Sequence, residues 1–216
     1  MRILLLGPPG SGKGTVANIL IEMYNIPHIT TGDLLREEVA KGTDVGKFAK
    51  PYMDRGELVP DEVVTRMVEG RLSRSDCEKG FILDGYPRNP AQAESLYEIL
   101  RQLNMSVNCV LNIVVPDDEL IRRLTTRRIC SNCGAIYNTL TKPPKKEGVC
   151  DICGGKVSQR DDDKEEVIRN RLQVYEKQAE PIIELYRKRG LVRDLKGDVG
   201  LQALPAEVKK VMEGGK

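Results

Sequence analysis

Three groups of residues carry chemistry by their type and spacing. The first is Gly7-Pro8-Pro9-Gly10-Ser11-Gly12-Lys13-Gly14-Thr15, directly after the apolar run Ile3 to Leu6. The spacing Gly7-x4-Gly12-Lys13 is that of a phosphate-binding P-loop. Glycines let successive backbone N–H groups turn toward phosphate oxygens, the following helix presents its positive end, and Lys13 adds a point charge for the outer phosphates. One position departs from the common pattern. Gly14 stands where a hydroxyl that ligates Mg²⁺ is usual, with Thr15 displaced by one. The metal of a bound nucleotide is therefore expected to be held mainly by phosphates and water, with Asp84, which ends the run Phe81-Ile82-Leu83, in its outer shell.

The second group is Cys130-x2-Cys133, followed after sixteen residues by Cys150-x2-Cys153, with Gly134 and Gly154-Gly155 behind the pairs. Four thiolates at this spacing grip one tetrahedral Zn²⁺, and the glycines let backbone N–H groups turn toward the sulfurs. Four sulfur ligands leave no open position, so such a zinc is structural. A disulfide pair or four free thiols are the alternatives, and the first is disfavoured in a reducing compartment. Of the other two cysteines, Cys109 reads as a core residue on a strand, and Cys77 has no assigned role.

The third group is a set of arginines beside turn signals: Arg36, Arg88, Arg123, Arg127, Arg160 and Arg171. Taken singly, each reads as a solvated surface charge. Taken together with the P-loop, they are the equipment for holding two polyanionic substrates, because phosphoryl transfer is chiefly positioning and charge neutralisation. No Asn-Lys-x-Asp is present to read guanine, and no carboxylate stands out as a base for water. An acceptor that is itself a phosphate is already ionised and needs no base. That suits a chain with one histidine, His28, which reads as a strand-packing residue.

These residues need a scaffold. The composition, 40% hydrophobic and 31% charged over 216 residues, excludes disordered and membrane-spanning classes. A net charge of +2 argues against coating nucleic acid. The first apolar run is too short for a signal peptide or membrane span, so the expected location is the cytoplasm. Apolar runs at Ile3 to Leu6, Gly80 to Asp84, Val107 to Val115 and Leu191 to Leu195 read as buried parallel strands. Between them helices are expected after Pro60-Asp61 and Asn89-Pro90, over Asp117 to Leu124, and over Asp163 to Arg189 with a kink or break at Pro181. This alternation predicts an α/β fold with a mostly parallel sheet. From Arg127 to Arg160 the periodicity is lost, and the cysteines there mark a small inserted module.

In combination the motifs resemble the adenylate kinase family. The resemblance rests on Gly7-x-Pro9-Gly10-x-Gly12-Lys13-Gly14-Thr15, Thr31-Gly32-Asp33-Leu34-Leu35-Arg36, Gly56-Glu57-Leu58-Val59-Pro60-Asp61, Asp84-Gly85-Tyr86-Pro87-Arg88 and Arg160-x-Asp162-Asp163, in order over nearly the whole chain. It implies transfer of the terminal phosphoryl of Mg-ATP to AMP, giving two ADP, on a three-layer P-loop fold with a five-stranded parallel sheet. A core would comprise 1–29, 60–126 and 164–216, a helical AMP-binding insert 30–59, and a zinc-bearing lid 127–163. Carried over by position, Gly10, Ser11, Gly12, Lys13, Gly14 and Thr15 would cradle ATP. Arg123 and Arg127 would meet it from the lid hinge, Ile136 and Tyr137 would flank it, and the backbone near Val199 would touch its adenine. Thr31, Arg36, Glu57, Leu58, Val59, Gly85, Arg88 and Gln92 would form the AMP site, and Arg160 and Arg171 would reach the phosphates on closure. Asp162 and Asp163 would lock the lid. Implied partners are ATP, AMP, ADP, Mg²⁺ and Zn²⁺, with no nucleic acid or membrane and a monomer as default. The alternatives are a kinase preferring UMP or CMP, and a nucleotide switch whose zinc ribbon binds nucleic acid.

Overall fold

In chain order the elements are β1 (Arg2–Leu6), α1 (Lys13–Tyr24), β2 (His28–Thr30), α2 (Thr31–Lys41), α3 (Asp44–Arg55) and α4 (Asp61–Leu72). There follow β3 (Phe81–Asp84), α5 (Pro90–Gln102), β4 (Cys109–Val114) and α6 (Asp117–Thr125). The chain continues through β5 (Arg127–Cys130), β6 (Ile136–Asn138), β7 (Val157–Ser158), α7 (Glu165–Lys188), β8 (Val192–Lys196) and α8 (Leu204–Glu213). The computed structural model describes residues 1–214. Five strands form one parallel sheet in the order β2-β3-β1-β4-β8.

Successive side chains on a strand point to opposite faces, and both faces of this sheet are covered, so its strands read as continuous apolar runs. Leu4, Leu6, Ile29, Leu83 and Val110 pack on one side with Val64, Val68 and Leu72 of α4, Leu96 and Leu100 of α5, and Ile182 and Tyr186 of α7. Ile3, Leu5, Ile82, Cys109, Leu111 and Ile113 pack on the other with Val16 and Leu20 of α1 and Val208 and Met212 of α8. The result is three layers, helices over a parallel sheet over helices. The central strand β1 pairs with β3 on one side and β4 on the other, which opens a crevice at the carboxyl ends of the strands.

Two expectations need correction. Helix α7 runs through Pro181 without a break. Proline removes a hydrogen bond to the carbonyl four residues earlier, that of Lys177, and both residues lie on the exposed face where water can take its place. Ala179, Ile182 and Tyr186 hold the same stretch to the core. The helix also begins at Glu165 rather than Asp163, which ends a short 3-10 turn over Asp161–Asp163. Within the aperiodic stretch, β5 pairs antiparallel with β6 and β7 in a separate three-stranded sheet. These strands are only two to four residues long, too short for an alternating pattern to register in the sequence.

Candidate active site

The crevice collects the turns that leave the strands. After β1 the P-loop wraps back, with Ser11 N–H donating to the Pro8 carbonyl at 3.2 Å and α1 starting at Lys13. Gly12, the residue before that helix, has φ +94°, a left-handed conformation that a side chain would strain. Lys13 Nζ donates to the carbonyls of Gly7 at 2.8 Å and Pro8 at 3.0 Å, so its ammonium lies over the loop. Burial, together with the charges of Arg88, Arg171 and Arg127, pulls its pKa down to about 8 against the opposing pull of Asp84. The buried Ser11 hydroxyl has no hydrogen-bond partner. Thr15 is exposed on the first turn of α1, and Ile136 of β6 lies close to Gly14. The turn after β8 comes against the loop: a side chain on Gly197 would meet the Ser11 carbonyl, and Arg123 Nη1 donates to the Gly197 carbonyl at 3.0 Å. Arg123 is also fixed by Glu119 at 2.7 Å. Val199 packs against the core layer beside α1 and α8.

On the other side of β1, the turns after β2 and β3 meet. Thr31 is buried, and its hydroxyl donates to the Gly85 carbonyl at 2.8 Å, which also accepts from Arg88 Nε at 2.8 Å. Gly85 has φ +79°, and a side chain there would run into Thr31 Oγ1 and Arg88 Nη2. Gln92 on α5 is 1% exposed, and its amide oxygen accepts the Arg88 backbone N–H at 2.7 Å. The segment between α3 and α4 borders this region with Val59 buried, Leu58 half-buried and Glu57 exposed and paired with Arg55. His28 faces Asp84, with Nε2 at 3.6 Å from Oδ2 and no hydrogen bond to that nitrogen. It therefore borders the site from the start of β2, beyond the packing role its sequence context suggests.

Between these halves lies a dense set of charges. Asp163, 0% exposed, is held bidentately by Arg127, with Nη2 to Oδ1 at 2.6 Å and Nε to Oδ2 at 2.8 Å. Arg171 reaches Asp163 at 3.3 Å and Asp162 at 3.2 Å. Arg36, anchored on Asp33 at 2.5 Å, lies 3.8 Å from the Asp162 carboxylate. Burial pushes Arg160 down to about 10, assisted by Arg36 and Arg127, and its Nε is buried without a partner. Burial also lowers Arg171, with Asp162 opposing. Carboxylates hold Arg36, Arg127 and Arg171, while burial and the neighbouring guanidinium groups disfavour the charge on Arg160, whose Nε is free to meet an anion; the arrangement suits polyanionic phosphates.

In the inserted module the four sulfurs of Cys130, Cys133, Cys150 and Cys153 lie within 4.8 Å of one another. Two of their separations, Cys130 to Cys153 and Cys133 to Cys150, are 3.5 Å, too long for disulfides and close to the roughly 3.7 Å edge of a tetrahedron with metal–sulfur bonds of about 2.3 Å. Their geometry suits one tetrahedral metal ion such as zinc. Tyr137, 4% exposed, lies in the core of this module and its hydroxyl is 3.3 Å from Cys150 Sγ. That hydrogen bond is the leading cause that holds the Cys150 thiol down to about 6. The Tyr137 side chain thus serves the sulfur cluster, and of the pair expected to flank the nucleotide only Ile136, 46% exposed, turns its side chain outward.

The structure thus brings together Lys13, Asp84, Arg88, Arg127 and Arg171, whose charges all act on the Lys13 ammonium, with Arg36 and Arg160 beside them. Sequence reasoning missed Glu119 and gave Asp61, quoted only within a motif and at a helix start, no role in the site. Glu119 lies one helical turn before Arg123, a visible signal. Asp61 accepts hydrogen bonds from residues about thirty positions away, which no local spacing reveals.

A sequence model of the family described as Adenylate kinase matches residues 5–191. Among curated relatives named adenylate kinase, that of Archaeoglobus fulgidus is 54% identical over 213 residues, covering 99% of this chain and 98% of the relative. That of Thermodesulfovibrio yellowstonii is 54% identical over 213 residues, covering 99% of each chain. One from a Geobacillus species is 50% identical over 214 residues, again covering 99% of each. With its P-loop, its arginine-lined crevice and these relatives, the chain belongs to the adenylate kinase family.

Proposed function

We propose that the protein transfers the terminal phosphoryl group of Mg-ATP to AMP, reversibly, giving two ADP. The observation that carries this reading is the crevice with two cation-lined halves, the P-loop with Lys13 on one side and Arg36 and Arg88 on the other, with Arg127, Arg160 and Arg171 between them. Gly10 to Thr15, Arg123 and Arg127, Ile136 and the turn near Val199 serve the ATP half. Thr31, Arg36, the chain from Glu57 to Val59, Gly85, Arg88 and Gln92 serve the AMP half. A phosphate oxygen of AMP, already ionised, attacks the terminal phosphorus of ATP while the bond to the bridging oxygen of ADP breaks. Arginines on both sides neutralise the charge that spreads over the transferred group. His28 is not required as a base. Mg²⁺ supplies further neutralisation when bound with ATP, and a single carboxylate, Asp84, fits a cation that keeps most of its ligands as water and phosphate.

The insert 30–59 acts as the acceptor-binding part and 127–163 as a lid that excludes water, which would otherwise accept the phosphoryl group. Cys130, Cys133, Cys150 and Cys153 hold Zn²⁺, whose role is to fold that lid. Among the described residues no helix is long and apolar enough to cross a membrane. A cytoplasmic monomer is the form this reading favours. The test is an assay of the purified protein with Mg-ATP and AMP, UMP or CMP in parallel. ADP formation that requires AMP is the expected result; ATP consumption with water alone, or faster turnover with UMP or CMP, overturns the reading.

A further inference from the structure

The acceptor half contains a polar network that the phosphoryl-transfer chemistry does not use. Asp61, at the first position of α4, accepts two bonds from Asn89 Nδ2, at 2.9 Å on each carboxylate oxygen, and one from Gln92 Nε2 at 2.7 Å. Asn89 in turn caps α5 by accepting the Gln92 backbone N–H at 2.8 Å. The other end of the Gln92 side chain accepts the Arg88 N–H at 2.7 Å. A carboxylate only accepts and a backbone N–H only donates, so these partners define which end of the Gln92 amide is nitrogen and which is oxygen. Turning the amide over would set oxygen against carboxylate and NH₂ against N–H in a buried place, where unmatched polar groups are costly.

We infer that Asp61 is a positioning residue that sets the base preference of the acceptor site by fixing the orientation of the Gln92 amide. The inference rests on the reading that Gln92 lies at the base of the acceptor nucleotide. With both ends fixed, the amide has one N–H and one carbonyl lone pair left to offer. A glutamine amide pairs with adenine by donating to a ring nitrogen and accepting from the 6-amino group. The hypoxanthine base of IMP has the same outline, with an oxygen in place of that amino group and N–H in place of N1. An amide free to turn over could serve either base; a fixed one matches adenine and opposes hypoxanthine. Asp61 thereby supplies repulsion against the wrong base as well as support for the right one.

The experiment compares kcat/KM for AMP and IMP, with saturating Mg-ATP, in the wild-type protein, Asp61→Asn and Gln92→Ala. Asparagine at 61 can keep its bond from Asn89 while presenting NH₂ to Gln92, which takes away the acceptor that opposes the turned-over amide and leaves the Arg88 N–H alone to resist it. The AMP-to-IMP ratio is expected to fall by roughly 10-fold or more in Asp61→Asn, chiefly through the KM of the monophosphate, with the KM of ATP unchanged. A merely structural role would depress both acceptors together and leave the ratio intact. If Gln92→Ala relaxes the ratio and Asp61→Asn does not, the role of Asp61 is overturned while the placement of Gln92 stands. If neither variant changes it, Gln92 does not read the base and both fall. Should Asp61→Asn fail to fold, Asp61→Ser, whose hydroxyl both donates and accepts, provides the same comparison.

Discussion

Lys13 shows how far one side chain depends on what the crevice contains. Its ammonium titrates near 8 because burial and the neighbouring arginines outweigh Asp84. Bound phosphate favours the charged form and raises that value, so nucleotide binding takes up a proton in the window between the two pKa values. Binding of Mg-ATP is expected to take up more proton at about pH 8.5, above that value, than at about pH 7, below it. Calorimetry in buffers of different ionisation enthalpy measures this directly; equal uptake at both pH values contradicts the assigned shift. At Tyr137 the expectation concerns packing. Its hydroxyl bridges Cys150 Sγ and the Asp151 N–H at 2.8 Å, and Tyr137→Phe leaves that N–H without its partner. A loss of about 1 kcal/mol in stability with an unchanged KM for ATP is the outcome that fits a lid-core residue; a raised KM with unchanged stability restores the nucleotide-flanking role. The P-loop and the cysteine pairs were legible in the sequence because their spacing is local. The Tyr137 side chain and Asp61 were not, because their roles depend on residues brought together only by folding.

At the level of elements, the packing of α2 on α3 depends on a close approach. Helices α2 and α3 meet where a side chain on Gly46 would collide with the backbone carbonyl of Glu38, and Thr43 ties the junction by accepting the Gly46 N–H at 3.0 Å. Gly46→Ala must push the helices apart. The expected cost is about 1–3 kcal/mol, read as a drop in melting temperature of about 2–4 °C per kcal/mol for a chain of this size; an unchanged melting curve shows that the packing gives way freely. The inserted module has only a small core of its own, Cys130, Tyr137, Cys150 and Val157, so the proposed zinc is expected to carry much of its stability. Removing zinc with a chelator is expected to lower the melting temperature and to spare turnover at low temperature. Immediate loss of turnover with an unchanged melt contradicts a folding role. The long strands and helices could be read from periodicity because the sheet is covered on both faces and its helices are amphipathic. Continuity of α7 through Pro181 could not, since it depends on which face of the helix meets water.

On the scale of the whole molecule, a net charge of +2 conceals a crevice where cations gather. Asp162 sits among them, within reach of Arg36 from α2, Arg171 from α7 and Arg160 from beside its own turn. Burial alone would raise its pKa; Arg171 and Arg36 outweigh that and hold it below the ordinary carboxylate range. A depressed folded value means that the ionised form stabilises the protein above a pH of about 4, the unfolded value, and that the contribution fades as pH falls through the folded value. Asp162→Asn should therefore lower the melting temperature of the nucleotide-free protein at neutral pH, and the gap to wild type should close on acidification below about pH 4. Salt should narrow it as well, though less than for an exposed pair. Nucleotide phosphates supply the missing negative charge, so ATP and AMP together should raise the melting temperature of the variant more than that of the wild type. A gap that persists unchanged into acid, or an equal rise with nucleotides, contradicts a carboxylate that stands in for phosphate and ties α2 and α7 to the turn that precedes α7.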